Sequence, residues 1–171
     1  MAQAMTRRSL DELQTSTDWS MISKRLRRMA LALTRSAADA DDLAQQTLVT
    51  LLVKRPDRAA HVGYGRRVMV RLWLDQQRSL RRRVARLVGL ARLARPYHED
   101  DDRLSVNDRY QKLYRAIDSL PARQRAVLVL RLVEELDYAE IAETLGCSVQ
   151  SVRANLHLGR QRVRELTGET P

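Results

Sequence analysis

The sequence predicts an all-α protein: two small helical domains joined by a flexible acidic linker. Three observations lead there. Leu, Ala and Arg dominate the 171 residues, while Gly and Pro number only 6 and 4, a balance that favours helices over strands. Apolar residues recur at helical spacing in two separate stretches. Charge is also unevenly spread. Residues 1–96 carry +12, residues 97–108 carry −4 and residues 109–171 carry +2, within a net charge of +10. A basic half, an acidic joint and a mild half suit two modules on a linker. The expected bounds are 18–95 for the first domain, 96–108 for the linker and 109–166 for the second.

Composition narrows the function. At 44% hydrophobic and 30% charged residues, the chain can build small cores, which excludes wholesale disorder. Phe is absent, so those cores rest on Leu, Val, Ile, Ala and Met. Cys147 is the single cysteine, which excludes an internal disulfide and a Cys-rich zinc site and points to a reducing compartment. No apolar run approaches the roughly 20 residues of a membrane span. Met1 to Asp11 lacks the apolar core of a signal peptide. A cytoplasmic protein is expected. The basic half calls for a polyanionic partner, nucleic acid before membrane.

The elements follow in order. Residues 1–17 are polar and are expected to be frayed. From Asp18, a candidate N-cap, to Thr34, the residues Met21, Ile22, Leu26, Met29, Ala30 and Leu33 fall at helical spacing. Ser36 caps a second helix running to about Lys54, with Leu43, Leu48, Leu51 and Leu52 as its apolar positions. Pro56 disfavours a helical residue before it and ends that helix. A loop leads to about Val62. A third helix, about Gly63 to Arg83, grows strongly basic at its end through Arg78, Arg81, Arg82, Arg83 and Arg86. Residues 84–95 are helix-compatible. Pro96 to Asp108, with Glu99-Asp100-Asp101-Asp102, reads as linker. The second domain opens near Arg109 with a short helix bearing Leu113, Ile117 and Leu120. Pro121 suits the first turn of the next helix, because its missing N–H would be unpaired there anyway. That helix carries Val127, Leu128, Leu130 and Leu132.

The strongest signal follows. Asp137-Tyr138-Ala139-Glu140 has the form of a capping box, which marks a helix start. Ile141, Ala142 and Leu145 make the inner face of that helix. Gly146 stands where a left-handed residue closes it. Ser148 caps a further helix with Val149, Val152, Leu156 and Val163 on one side. The spacing of Ala142, Gly146 and Val152 matches a helix-turn-helix, whose second helix enters the DNA major groove. An αα-hairpin that binds protein fits the same small residues and glycine turn. On the outer face of the last helix lie Gln150, Ser151, Arg153, Ala154, Asn155 and His157. Gln, Arg and Asn are the side chains that pair with base edges. Arg160, Arg162 and Arg164 come later and suit phosphates or solvent.

These residues resemble a known family. Leu120-Pro121-Ala122-Arg123-Gln124-Arg125-Ala126-Val127-Leu128, then Tyr138-Ala139-Glu140-Ile141-Ala142 and the Ser148–Leu156 helix, resemble the fourth conserved region of extracytoplasmic-function sigma factors. Ala38-Asp39-Ala40-Asp41-Asp42-Leu43-Ala44-Gln45-Gln46-Thr47 resembles the start of the second conserved region, and Val68–Asp75 with the arginine run its end. The resemblance covers roughly residues 20–88 and 109–166 and is nearest to short actinobacterial members. It implies a transcription initiation factor that carries core RNA polymerase to promoter DNA, performs no catalysis and answers to an anti-sigma factor.

It also implies roles by position. Asp42, Gln45 and Gln46 would dock on the polymerase largest subunit; a solvated acidic face is the alternative. The loop from Arg55 to Tyr64 would capture a base extruded from the −10 element, with Tyr64, His61 and Arg58 as stacking candidates; Tyr64 also suits a core. Arg66, Arg67, Arg71, Arg78 and Arg81 would follow phosphates near the melted junction, unless that basic face is merely solvated. Gln150, Ser151, Arg153, Ala154, Asn155, His157 and Arg160 would face the −35 element. The chain departs from the family at Gln46, at Arg71–Leu72, and at Asn155 and Leu158, where many members carry Arg. His61, His98 and His157 have no metal-ligand spacing. No Gly-rich phosphate loop and no nucleophile beside a base is found, so no cofactor, metal or catalytic residue is expected. Two rivals remain: a dimeric helix-turn-helix repressor, and a sigma-like mimic that titrates an anti-sigma factor.

Overall fold

The computed structural model describes residues 16–54, 61–90 and 108–168. These form seven helices, with no strand among the described residues: α1 (Ser16–Thr34), α2 (Ala37–Lys54), α3 (Val62–Leu90), α4 (Asp108–Asp118), α5 (Ala122–Leu132), α6 (Tyr138–Leu145) and α7 (Val149–Thr167). The all-α expectation holds. The chain divides into two compact units, residues 1–72 with 143–146 and residues 73–142 with 147–171.

In the first unit α1 and α2 pack as a pair. Ile22, Leu26, Met29, Ala30 and Leu33 line the buried side of α1, and Ala40, Leu43, Ala44, Thr47 and Leu51 that of α2. Each buried Leu contributes about 1.5–3 kcal/mol. Thr47 is fully buried, and its hydroxyl donates to the Leu43 carbonyl at 2.7 Å, so it brings no unsatisfied group into the core. Arg27 Nε donates to Asp41 Oδ1 at 2.5 Å and ties the two helices at their exposed edge. Its hydrogen bond to Asp41 and the carboxylate's charge raise the Arg27 pKa above its ordinary value. A Cβ built on Gly65 would lie 3.5 Å from Leu26 Cδ2 and 3.6 Å from Leu51 Cδ1, which places the start of α3 against both.

Several sequence expectations shift. α1 begins at Ser16 rather than after Asp18, so Asp18 lies inside the first turn and is not the cap. Met21 and Leu52 belong to the apolar count but are 64% and 49% exposed. Each sits one position off the buried stripe of its helix. Ser36 does cap α2: its hydroxyl accepts from the Asp39 N–H. α3 runs to Leu90, well past Arg83, because Arg, Leu and Ala are all good helix formers and nothing before Leu90 breaks the helix.

In the second unit α7 packs on α4 and α5. Ala126, Val127, Leu128, Val129 and Leu130 of α5 are buried, as are Val152, Leu156 and Gly159 of α7. Leu132 points outward at 62% exposure. Pro121 is the N-cap of α5, one position ahead of its expected place. At Gly159 a Cβ would lie 3.1 Å from Leu128 Cδ1. Such tightness explains a glycine within a helix, where it costs about 1 kcal/mol against Ala.

Candidate nucleic-acid interface

The α6–α7 pair is assembled from local chemistry. At its entrance the Asp137 carboxylate accepts from the Glu140 N–H and the Glu140 carboxylate accepts from the Asp137 N–H, both at 2.8 Å. This reciprocal pair is the capping box read from the sequence. Ile141 and Ala142 are buried. At the exit Gly146 adopts φ +60°, a region where a Cβ is strained. The Cys147 N–H donates to the Ala142 carbonyl at 3.0 Å and the Gly146 N–H to the Glu143 carbonyl at 3.3 Å, which together close a Schellman turn. Ser148 then caps α7 by accepting from the Ser151 N–H at 3.1 Å. Two helices joined across three residues, the second anchored by Val152 and Leu156, make a helix-turn-helix.

Burying Val152, Leu156 and Gly159 leaves the opposite side of α7 outward. Gln150, Arg153, Ala154, His157 and Arg160 are all exposed and fall at spacings of three and four, so they form one stripe about 15 Å long. Ser151 and Asn155 lie beside it, half-buried. Both have local partners: Ser151 Oγ is 2.9 Å from Ser148 Oγ, and Asn155 Nδ2 donates to the Ser151 carbonyl at 2.8 Å. As placed, the Asn155 amide is turned back on its own helix. Arg153 lies over the Tyr138 ring, 5.7 Å from its centroid. Sequence reasoning missed Tyr138 and its second cation, Arg131; their only signal was the aromatic inside the capping box.

The other site residues lie on α2 and α3. Asp42, Gln45 and Gln46 are exposed on one face of α2. The His61 carbonyl accepts from the N–H groups of Tyr64 and Gly65, both at 3.0 Å, and opens α3. His61 is exposed and Tyr64 half-buried, one turn apart. Arg66 is half-buried, whereas Arg67, Arg71, Arg78 and Arg81 are exposed. The last four extend over about 21 Å of helix. Arg67 is ion-paired with Glu143 of the same unit, and Arg78 Nη1 is 3.3 Å from Asp75 Oδ1. Arg58 and the acidic joint lie outside the described residues. Cys147 is a free, half-buried thiol in the turn.

The helix pair α1–α2, the basic helix α3 and a helix-turn-helix define a nucleic-acid-binding adaptor. The comparisons name its family. Residues 20–83 match the model "Sigma-70 region 2" and residues 110–163 match "Sigma-70, region 4". The chain is 30% identical to the ferric citrate uptake sigma factor FecI of Escherichia coli over 125 residues, 70% of each protein. It is 33% identical over 154 residues to the ECF RNA polymerase sigma factor SigE of Mycolicibacterium smegmatis, covering 82% of this chain but 56% of that relative. Its fold is also that of the sigma factor RpoE from Bartonella quintana, solved in complex with the anti-sigma factor NepR, at TM-score 0.67 and 21% identity over 91% of this chain and 98% of that one. The chain belongs to the extracytoplasmic-function sigma factors.

Proposed function

We propose that this protein is a promoter-specificity subunit: it binds core RNA polymerase and directs it to promoters through −10 and −35 elements, without catalysing a reaction itself. The observation that carries this reading is the order of the parts. A docking face and a basic helix come first, and a helix-turn-helix with an exposed polar stripe comes second, in a chain matched by both sigma-70 region models. On this reading residues 18–95 engage polymerase and the −10 element, residues 96–108 link, and residues 109–166 engage the −35 element. Asp42, Gln45 and Gln46 meet the polymerase. His61, Tyr64 and Arg58 meet the −10 strand. Arg66, Arg67, Arg71, Arg78 and Arg81 follow the junction phosphates. Gln150, Arg153, Ala154 and His157 reach −35 base edges, Ser151 and Asn155 support them, and Arg160 grips phosphate.

The work is done where the polymerase is, in the cytoplasm. No described helix is long and apolar enough to cross a membrane. An anti-sigma factor as regulator is part of the proposal, supported by the complex in which the RpoE neighbour was solved. The test is reconstitution: the protein is added to core polymerase on genomic fragments and start sites are mapped. Promoter-dependent initiation that needs both components is expected. Tight, sequence-specific duplex binding by the protein alone at physiological salt, with no initiation, would favour a repressor instead.

A further inference from the structure

Three elements converge on one aromatic ring. Tyr138, the first residue of α6, is half-buried. The Arg131 guanidinium, from the last turn of α5, lies 5.6 Å from the ring centroid, and that of Arg153, from α7, lies 5.7 Å from it. Arg131 is itself pinned, since its Nη1 donates to the Leu136 carbonyl at 2.8 Å. The ring is therefore held from the α5 side and offers a π surface to the α7 side. Arg153 is otherwise an exposed, rotamer-rich side chain on a helix surface, and no ion pair with another described residue restrains it. An arginine reads guanine only when its planar fork is aimed, because both N–H bonds must meet two acceptors at once. A side chain already stacked loses less freedom when it engages DNA.

We infer that Tyr138 is a positioning residue that presets the Arg153 guanidinium for base reading, with Arg131 fixing the ring. This rests on the reading of α7 as the −35 helix. Arg131 also places a second positive charge near the same ring.

The experiment uses reconstituted holoenzyme and a pool of duplex DNA randomised over ten base pairs upstream of a fixed −10 segment. Wild type, Arg153→Ala, Tyr138→Leu, Tyr138→Phe and the Tyr138→Leu/Arg153→Ala double variant are each enriched and sequenced, with melting temperatures measured in parallel. Tyr138→Leu is expected to weaken the preference at the same base pair that Arg153→Ala erases, by about two- to five-fold, the size of an exposed cation–π contact. Tyr138→Phe keeps the ring and is expected to restore the preference. In the double variant the leucine should change nothing further. If Arg153→Ala erases the preference and Tyr138→Leu leaves it intact, the positioning role is overturned and the −35 reading stands. An additional loss in the double variant would mean that Tyr138 touches DNA itself, which also overturns it. If Arg153→Ala leaves every preference intact, the −35 reading of Arg153 fails and the inference falls with it.

Discussion

Helices α3 and α7 both present an exposed polar stripe, yet the two stripes differ in kind. On α3 it is nearly all guanidinium: Arg67, Arg71, Arg78, Arg81 and Arg82, interrupted by Asp75. On α7 it is mixed: Gln150, Arg153, Ala154 and His157, with Arg160 at the far end. A row of arginines offers the same donors to any phosphate, so it grips without choosing. Gln and His offer both donors and acceptors, and Ala leaves room for a thymine methyl, so the mixed stripe can discriminate. On the proposed reading the first helix would supply affinity and the second sequence preference.

The largest effect lies outside both helices and asks whether either acts without delivery by polymerase. Asp42 is exposed on α2 beside Gln45 and Gln46. Asp42→Arg reverses a charge on that face, and a charge mismatch across an interface costs several kcal/mol. We expect co-purification with core polymerase to be lost while the circular dichroism spectrum and melting temperature stay those of wild type. Undiminished co-purification would remove α2 as the dock.

The next tests discrimination. Arg153→Ala should cost about 1–3 kcal/mol at the preferred −35 sequence and relax one base pair, because a bidentate guanine contact has that worth. A loss of equal size on every −35 variant would make Arg153 a phosphate contact and blur the contrast with α3.

Tyr64 probes the aromatic end of α3. It is half-buried, which leaves part of the ring for stacking, so Tyr64→Ala should cost about 1–2 kcal/mol, in the lower part of the range for a base–aromatic stack. The loss should appear in promoter opening, followed by permanganate reactivity of unpaired thymines, rather than in recruitment. A fall in melting temperature with normal opening would make Tyr64 a core residue.

What could be read from the chain was its local chemistry. The capping box, the left-handed Gly146 and the Ser148 cap each depend on residues within five positions, so the helix-turn-helix was legible before any fold was known. Facts decided between helices were not. The outward turns of Met21, Leu52 and Leu132 depend on which stripe finds a neighbour. The ring shared by Arg131, Tyr138 and Arg153 joins residues up to 22 positions apart. Asn155 has base-reading chemistry, yet its amide bonds the Ser151 carbonyl, a choice between partners that composition cannot express. Of the loop expected from Arg55 to Tyr64, residues 55–60 lie outside the described residues, and its assignment to the −10 strand rests on resemblance.

The smallest effect sets the two stripes side by side. Arg160 lies two turns beyond Arg153 on the same face of α7, and Arg71 lies in the row on α3; both are exposed. If each neutralises one phosphate, each alanine variant should release about one counterion fewer and lower the salt slope of binding by about 0.9. Neither should alter base preference, because a phosphate carries no sequence information. The measurement is holoenzyme affinity at two salt concentrations, on duplexes differing only at −35. The two variants should lose affinity uniformly across those duplexes and converge with wild type as salt rises, since counterion release weakens with salt. A base-dependent loss in Arg160→Ala would extend the discriminating stripe a full turn further along α7. A salt slope unchanged in Arg71→Ala would make that arginine a solvated charge, and gripping would then have to rest on its neighbours along α3.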